Sequence, residues 1–505
     1  AMVRPRAQRS TPGPYATLRD VSDPAESSRP DRTVQANGVR HEFLTAADLI
    51  GLTGGRLVRD SLRPVRGAAV DSRSVRPGEL FVALPGERTD GHRFLREAVM
   101  AGAAALIVAV EPDDATRTAL GDVTIVVVPD PLVALQAIAA GWRSRFRPRV
   151  VGVTGSIAKT STKEAVASVL AAQGPTLRTE GNQNNEIGLP LSLLRIGPEH
   201  ANVVLEMGMY TGGEIAHLAT LARPEIGVVT AILGVHLSRI GSIEAVENAK
   251  AELVEALPAH GVAVLNADNQ RVRGLARRTP ARSVTYGFAA DAEVGAERVR
   301  SAGTGGMRFQ LRYPGRSATE RTSASIPGLG RLSVHNALAA AAVGMAAGMT
   351  IDEIVPALAG GWSAPHRGQL VTVGGITIVD DSYNASPASM AAALDLLTGL
   401  PGRRIAVLGG MLELGEASVE GHVQTGARAA AACSVLVTVG AGAADIARGA
   451  REAGMEPGAI VEVGDQAEAL TALTTLVRPG DVVLVKASRG AELDRLVDSL
   501  RTSLA

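Results

Sequence analysis

After about residue 42 the chain alternates short β-branched apolar runs with stretches of helical periodicity, and this rhythm restricts the fold more than any other feature. Residues 150–154, 203–207, 226–230, 262–266, 376–380, 404–408, 435–439 and 482–486 read as strands, with helical patterns between most of them. Parallel neighbours in a sheet need a crossover connection, so the alternation predicts an α/β fold with mostly parallel sheets. Only 3% of residues are aromatic while 46% are hydrophobic, so Ala, Val, Leu and Gly must build the cores. That composition suits helices packed closely on parallel sheets.

The rhythm breaks at residues 143–149, a basic Pro-containing link, and at 360–367, where Gly360-Gly-Trp-Ser-Ala-Pro365 interrupts it. With 505 residues and about 150 per domain, the breaks predict three domains, 42–145, 146–362 and 363–505. Residues 1–41 are polar, rich in Arg, Pro, Ser and Asp, and lack an apolar signal core, so they are expected to form a disordered extension.

Lys plus Arg equals Asp plus Glu at 51 each. No global field attracts nucleic acid or an anionic membrane, and any anion site must be local. The longest apolar stretch, 337–349, is shorter than the roughly 18 residues of a membrane span, so no membrane insertion is expected. The single cysteine, Cys433, cannot form an intrachain disulfide or a cysteine-rich zinc site. It reads as a buried apolar residue and fits a reducing, cytoplasmic compartment.

The run Gly152-Val-Thr-Gly-Ser-Ile-Ala-Lys-Thr-Ser-Thr162 follows one strand and opens a helix. In that setting the backbone N–H groups of Gly155, Ser156, Ala158 and Ser161 face phosphates, Lys159 reaches the β- and γ-phosphates, and the Thr160 hydroxyl holds Mg²⁺. The competing role is an ordinary strand-to-helix turn, because Ala158 stands where such loops carry Gly. If position 158 needs a positive φ, Ala costs on the order of 1 kcal/mol, and Ala158→Gly is expected to tighten ATP binding about fivefold.

Two further residues carry their own argument. Glu206 ends a strand, where ligands gather in open α/β sheets, and reads equally as a Mg²⁺ ligand or as a cap for the next helix. In residues 242–257 the apolar positions Ile243, Val246, Leu253, Val254 and Leu257 trace a helical stripe, and Lys250 lies in register with it. Snorkelling, or pairing with Glu247, is the ordinary fate of such a lysine. His236 lies just beyond a strand, and a lone histidine there reads as structural.

The wider pattern resembles the Mur ligase family over nearly everything after residue 42. The first span has Asp71-Ser-Arg73-Ser-Val-Arg-Pro-Gly-Glu-Leu-Phe-Val-Ala-Leu84 and Asp90-Gly-His92. The second has the phosphate loop, Thr179-Glu-Gly-Asn-Gln-Asn-Asn-Glu-Ile-Gly-Leu-Pro190, Leu205-Glu-Met-Gly208, His236-Leu and Ala249-Lys-Ala-Glu252. The third has Asp380-Asp-Ser-Tyr-Asn-Ala-Ser-Pro387, Leu408-Gly-Gly-Met-Leu-Glu-Leu-Gly415, His422 and Lys486-Ala-Ser-Arg-Gly490.

The resemblance implies a three-domain architecture: an N-terminal uridine-nucleotide-binding α/β domain, a central P-loop ATPase domain and a C-terminal Rossmann-like domain. It implies an ADP-forming ligase that joins D-Ala-D-Ala to the carboxylate of UDP-N-acetylmuramoyl-tripeptide through an acyl phosphate, in cytoplasmic peptidoglycan precursor synthesis, acting as a monomer. ATP and Mg²⁺ are the implied cofactors, with Lys250 N-carboxylated by CO₂. Thr160, Glu206, His236 and the modified Lys250 would hold the metal, and Lys159 the phosphates. Burial near a metal favours the neutral amine that carboxylation requires.

By the same resemblance Asn336, Asp381 and Tyr383 serve the adenine side and Arg367 the phosphates. The alternatives are a helix N-cap for Asn336 and an exposed linker position for Arg367. Ser72, Arg73, Asp90, Gly91 and His92 would hold the uridine nucleotide, and Asn182, Asn184 and Asn185 the muramyl peptide, unless the three Asn form a turn cluster. Lys486, Ser488 and Arg489 are the candidates for the incoming dipeptide, whose carboxylate calls for a cation.

The chain departs from the family at Ala158, Leu332 and Gly410, where Gly, His and Asp are usual. The Asn-x-Gly-Pro run before His236 is replaced by Ala231-Ile-Leu-Gly-Val235. Two other readings stay open at this point: a sister Mur or folylpolyglutamate-type ligase using a different amine, and an impaired homologue that only binds a nucleotide sugar.

Overall fold

The computed structural model describes residues 42–86, 89–234, 240–315 and 317–504, so the expected extension 1–41 and His236 lie outside the described residues. Among the described residues there are three sheets, arranged along the chain in the order the sequence rhythm implies. The first has five strands in the order Arg56–Arg59, Thr124–Val127, Ala105–Val108, Leu80–Val82, Ala68–Ala69. All its pairings are parallel except that of Arg56–Arg59.

The central sheet has nine strands. Arg149–Thr154 lies between Ile226–Val229 on one side and Asn202–Glu206 on the other, parallel to both. Thr176–Arg178 closes one edge, while Val262–Asn266, Arg282–Gly287 and Val294–Ser301 extend the other, all parallel. Met307–Pro314 and Thr319–Ile326 then add an antiparallel extension that the sequence reading did not anticipate. Its burial alternates along Met307–Pro314, one face inward and one toward water.

The third sheet has six strands in the order Gln369–Val373, Ile376–Asp380, Val482–Lys486, Arg404–Gly409, Val435–Val439, Ile460–Val463. Only the pairing of Gln369–Val373 with Ile376–Asp380 is antiparallel.

Helices cover the faces as the low aromatic content requires. The Ala-rich helix Gly330–Ala346 packs against the phosphate-loop helix Lys159–Leu170, and its small side chains let the two axes approach. The apolar stretch read at 337–349 is therefore a buried core helix, and no helix of the described residues is long and apolar enough to cross a membrane. One hydrophobic cluster runs from Leu44 through Trp142 to Leu253, so the first sheet and the central sheet share a core.

Glycines in two central strands set how close the helix Ile243–Glu255 comes. A Cβ on Gly152 would meet Leu253 Cδ1 at 2.8 Å, and one on Gly227 would meet Leu253 and Leu257 at 3.2 Å. That approach brings Lys250 against the strand ends. Cys433 is buried in the third domain's core, as expected, and burial pushes its thiol up to about 11. At pH 8 the thiol is therefore protonated and enclosed. Ellman's reagent is expected to leave it untouched in the native protein and to titrate one thiol after denaturation; rapid native labelling would show that this helix and strand open readily.

Candidate active site

Three adjacent strand ends assemble the centre. Arg149–Thr154 runs into Gly155, whose φ of +150° only Gly adopts readily, and a Cβ there would land on Thr230 Oγ1. Thr230, at the end of the neighbouring strand, donates to Ile157 O at 2.6 Å and so shapes the loop from below. Asn266 Nδ2 in turn donates to Thr230 O at 2.6 Å. Ser156 is held by the run that replaces the usual Asn-x-Gly-Pro: its N–H donates to Ala231 O at 2.7 Å, and its hydroxyl accepts from Leu233 N at 3.0 Å.

Ala158 takes φ 62° and ψ 4°, the left-handed conformation, and stands as the N-cap of Lys159–Leu170 without a side-chain cap bond. The positive φ expected from the sequence is present at Ala158.

Lys159 folds back, Nζ donating to Gly155 O at 2.8 Å. Burial lowers its pKa; Glu206 opposes the shift and Arg367 adds to it. Thr160 is buried at the first turn, Ser161 is half-buried beside it, and Thr162 donates to Asn336 Oδ1 at 3.0 Å. Asn336 is an interior residue of Gly330–Ala346, whose N-cap is Leu329, so the capping alternative is excluded.

Glu206 ends Asn202–Glu206 and is only 2% exposed. Its Oε1 accepts from Asn184 Nδ2 at 2.8 Å, while Oε2 is buried without any donor. It caps no helix through that oxygen, and a buried carboxylate oxygen without a donor has the chemistry of a hard-cation ligand. Lys250 is also 2% exposed, and among the described residues it has no hydrogen-bond or ion-pair partner. Glu247, its competing partner, pairs instead with Arg271 at 2.7 Å. Burial first, then the charge of Lys159, holds the Lys250 amine well below its ordinary value. Neither snorkelling nor pairing describes it.

The three asparagines divide. Asn184 serves Glu206, and Asn185 Oδ1 accepts from Gly188 N at 2.9 Å at the start of Gly188–Leu193. Asn182 is exposed, so the segment forms a turn and leaves one asparagine facing solvent.

In the first sheet the uridine candidates collect beyond the ends of two adjacent parallel strands, Ala68–Ala69 and Leu80–Val82. Asp71 accepts from Arg73 Nε at 2.9 Å, next to Ser72, and leaves the guanidinium largely exposed. Asp90 Oδ1 accepts from His92 N at 2.9 Å, and His92 Nε2 accepts from Ala109 N at 2.9 Å. Gly91 is buried, where a Cβ would meet Leu84 N at 2.8 Å.

In the third sheet Asp380 and Lys486 end neighbouring strands. Lys486 is buried with Nζ donating to Asp381 Oδ2 at 2.6 Å and Asn384 O at 2.8 Å, and Ser488 accepts from Leu412 N at 2.9 Å. Both therefore brace loops, and of the three only Arg489 is left exposed. Arg489 donates to the Tyr383 hydroxyl at 2.7 Å, and Arg367 stacks 4.1 Å from the centre of the same ring. Neither guanidinium has a carboxylate partner among the described residues. His366, with φ 57°, pairs through Nδ1 with buried Asp380 at 2.7 Å and accepts from Tyr383 N at 3.1 Å, which fixes the turn that aims Arg367.

Position 410 suits its glycine, since a Cβ would meet Gly442 backbone at 3.0 Å, and Leu332 is partly exposed near the start of its helix. His422 donates from Nδ1 to Ser418 O at 2.6 Å and accepts at Nε2 from Met411 N at 2.8 Å, ordering the loop around Met411. Sequence reasoning missed Thr230, His366 and the buried Lys163. For Lys163 the signal was present, since Lys163, Val166 and Leu170 form the same kind of inward stripe that singled out Lys250.

The assembled centre sets Lys159, with Arg367 and Glu206 in electrostatic reach, near the buried Lys250, an arrangement suited to a polyanion with a divalent cation. Comparison with known proteins agrees with that chemistry. The chain matches three family descriptions: "Mur ligase family, catalytic domain" at residues 64–143, "Mur ligase middle domain" at 153–344 and "Mur ligase, glutamate ligase domain" at 366–489. It is 38% identical to the UDP-N-acetylmuramoyl-tripeptide–D-alanyl-D-alanine ligase of Mycobacterium leprae, over 90% of this chain and 98% of that one. The Escherichia coli enzyme of the same name is 36% identical over 91% of this chain and 98% of its own. Among solved structures, MurF from Acinetobacter baumannii superposes with a TM-score of 0.80 at 29% identity, covering 91% of this chain and 99% of that one. MurF ligase from Thermotoga maritima in complex with ADP gives 0.75 at 29%, covering 88% and 99%.

Two predictions follow from the loop and the lysine. Ala158→Gly is expected to raise stability by about 0.5 kcal/mol, strain relief outweighing the added freedom of the unfolded chain. Denaturation and calorimetry on both proteins check it. For Lys250 the sign is fixed by its lowered folded pKa: between that value and the ordinary 10.5 the unfolded chain binds the extra proton, so stability rises with pH across that window. Lys250→Met, in bicarbonate-free buffer, is expected to be at least as stable as the parent at pH 7 and to lose this rise; urea melts at pH 7 and pH 9 measure it.

Proposed function

The chain belongs to the Mur ligase family, and on that premise we infer that it is a UDP-N-acetylmuramoyl-tripeptide–D-alanyl-D-alanine ligase, an ADP-forming enzyme of peptidoglycan precursor synthesis. The observation that carries the reading is the meeting of Lys159, the orphaned oxygen of Glu206 and the partnerless Lys250 at adjoining strand ends, with Arg367 beside them.

An amide does not form from a carboxylate in water without activation. The tripeptide carboxylate attacks the γ-phosphorus of ATP, ADP leaves, and the resulting acyl phosphate is attacked by the D-Ala-D-Ala amine with loss of phosphate. The chain's part is to bring two anions together. The N-terminus of Lys159–Leu170 and the Lys159 ammonium face the phosphates, and Arg367, steadied on Tyr383, adds a third positive group from the third domain. Arg489, bonded to the Tyr383 hydroxyl, takes the dipeptide carboxylate. Ser72, Arg73 and the Asp90–His92 turn hold the uridine nucleotide at the far end of an extended acceptor.

Mg²⁺ fits the residues present, because Glu206 offers a buried oxygen with no other donor and Thr160 lies at the first turn of the helix. Lys250, buried with its amine favoured in the neutral form, fits reaction with CO₂ to a carbamate, which would make it a third ligand. His236 would be a fourth. When bound, Mg²⁺ neutralises the crowded oxygens of the triphosphate. The reaction is placed in the cytoplasm.

Phosphate release is expected only when ATP, UDP-muramyl-tripeptide and D-Ala-D-Ala are all present, with free alanine a poor amine and the pentapeptide detected by mass spectrometry. Product with a different amine, and none with the dipeptide, would identify a sister ligase instead. Lys250→Ala is expected to fold and to lose at least about a hundredfold in turnover, with partial recovery in acetate, which occupies the place of the carbamate. A folded Lys250→Ala enzyme with undiminished turnover would remove the carbamate from the reading.

A further inference from the structure

The phosphate-loop helix carries a second lysine that the reading above leaves without a task. Lys163 lies one turn beyond Lys159 and is completely buried. Its ammonium donates to Thr179 O at 2.6 Å and pairs with Glu164 at 3.0 Å, while Glu164 is also bound by Arg178 at 2.6 Å. Burying an ammonium costs several kcal/mol before any pairing, and an apolar residue of similar shape is often as stable there or more so. Stability alone does not account for a lysine in this place.

Its partner does. Thr179 is itself fully buried, and its hydroxyl accepts the N–H of Glu206 at 3.1 Å. Thr179 also opens the loop whose Asn184 donates to Glu206 Oε1 at 2.8 Å and accepts from Gly208 N at 2.8 Å. Glu206 is therefore gripped at backbone and carboxylate by one segment, and that segment is fastened to the phosphate-loop helix by Lys163. We propose that Lys163 is a positioning residue: through Thr179 it sets the Glu206 carboxylate in register with the phosphate loop one helical turn away.

The inference rests on Glu206 holding a divalent cation, and its test does not depend on which amine or acceptor the enzyme uses. Lys163→Met removes the grip on Thr179 while Glu164 keeps Arg178, so the fold and thermal midpoint are expected to hold. Thr179→Val, nearly isosteric, removes only the acceptor for the Glu206 N–H and serves if the first variant fails to fold. In both, binding of Mn²⁺ to the ATP-loaded protein, read by electron paramagnetic resonance, is expected to weaken about tenfold, the scale seen when groups that orient metal ligands are removed. Binding of a fluorescent ADP analogue in EDTA is expected to stay within about twofold, because Lys159 and the loop are untouched. Hydrogen exchange across residues 179–188 is expected to speed up in Lys163→Met while the helix Lys159–Leu170 stays protected.

Unchanged Mn²⁺ affinity in the folded variants would overturn the proposal, as would nucleotide binding that falls in step with metal binding. A variant that merely melts earlier, with parental metal affinity and exchange, would make Lys163 an ordinary buried ion pair. If the parent itself forms no pentapeptide, the substrate reading fails while these measurements still decide the role of Lys163.

Discussion

The constraint on which the rest of the structure depends is a buried lysine, Lys250, held within reach of the charge of Lys159 at the phosphate loop. Lys159 in turn lies within electrostatic reach of Arg367 and of Glu206, whose second oxygen has no donor. Like charges a few ångströms apart repel by about 4 kcal/mol even at an effective dielectric constant of 20. Such an arrangement calls for a rigid scaffold and lowers the proton affinity of Lys250, and it suits a polyanionic ligand.

The fold meets each condition by specific contacts. Glycines in the central strands admit the lysine helix, and Gly155 admits Thr230, so the loop is fixed by its own neighbours before any ligand arrives. Glu252, two residues beyond Lys250, accepts the N–H groups of Gly213 at 2.6 Å and Ala216 at 2.9 Å, capping a helix that has no cap of its own. The helix bearing Lys250 is thereby tied to the segment that follows Glu206. On the third domain's side, His366 and Asp380 hold the turn that presents Arg367, and Tyr383 holds both arginines at once.

The departures from the family pattern fit the same economy of contacts. Ala158 keeps the left-handed geometry that glycine would take, and the altered run at 231–233 still clamps Ser156 through main-chain atoms, which need no particular side chain. Gly410 lies where the Gly442 backbone leaves little room for a side chain. The substituted positions thus preserve backbone geometry while changing side-chain chemistry.

Much of this was legible in the sequence. Periodicity found the strands at 262–266, 376–380, 435–439 and 482–486 to the residue, because buried parallel strands are short β-branched runs bounded by turn residues. It also found Lys250, because a charge within an apolar helical stripe needs a reason. The strands at 294–326 escaped, since their polar outward faces dilute the apolar signal. What only the tertiary structure decided is partnership. Sequence could not say that Glu247 would turn to Arg271 and leave Lys250 alone, that Asn184 would serve Glu206 while Asn182 faced solvent, or that Lys486 would be consumed by Asp381 and leave Arg489 exposed. Local patterning fixes which face of an element is buried; which polar group meets which is settled only when distant strands end side by side, because hydrogen bonds and charges act over a few ångströms of space and not along the chain.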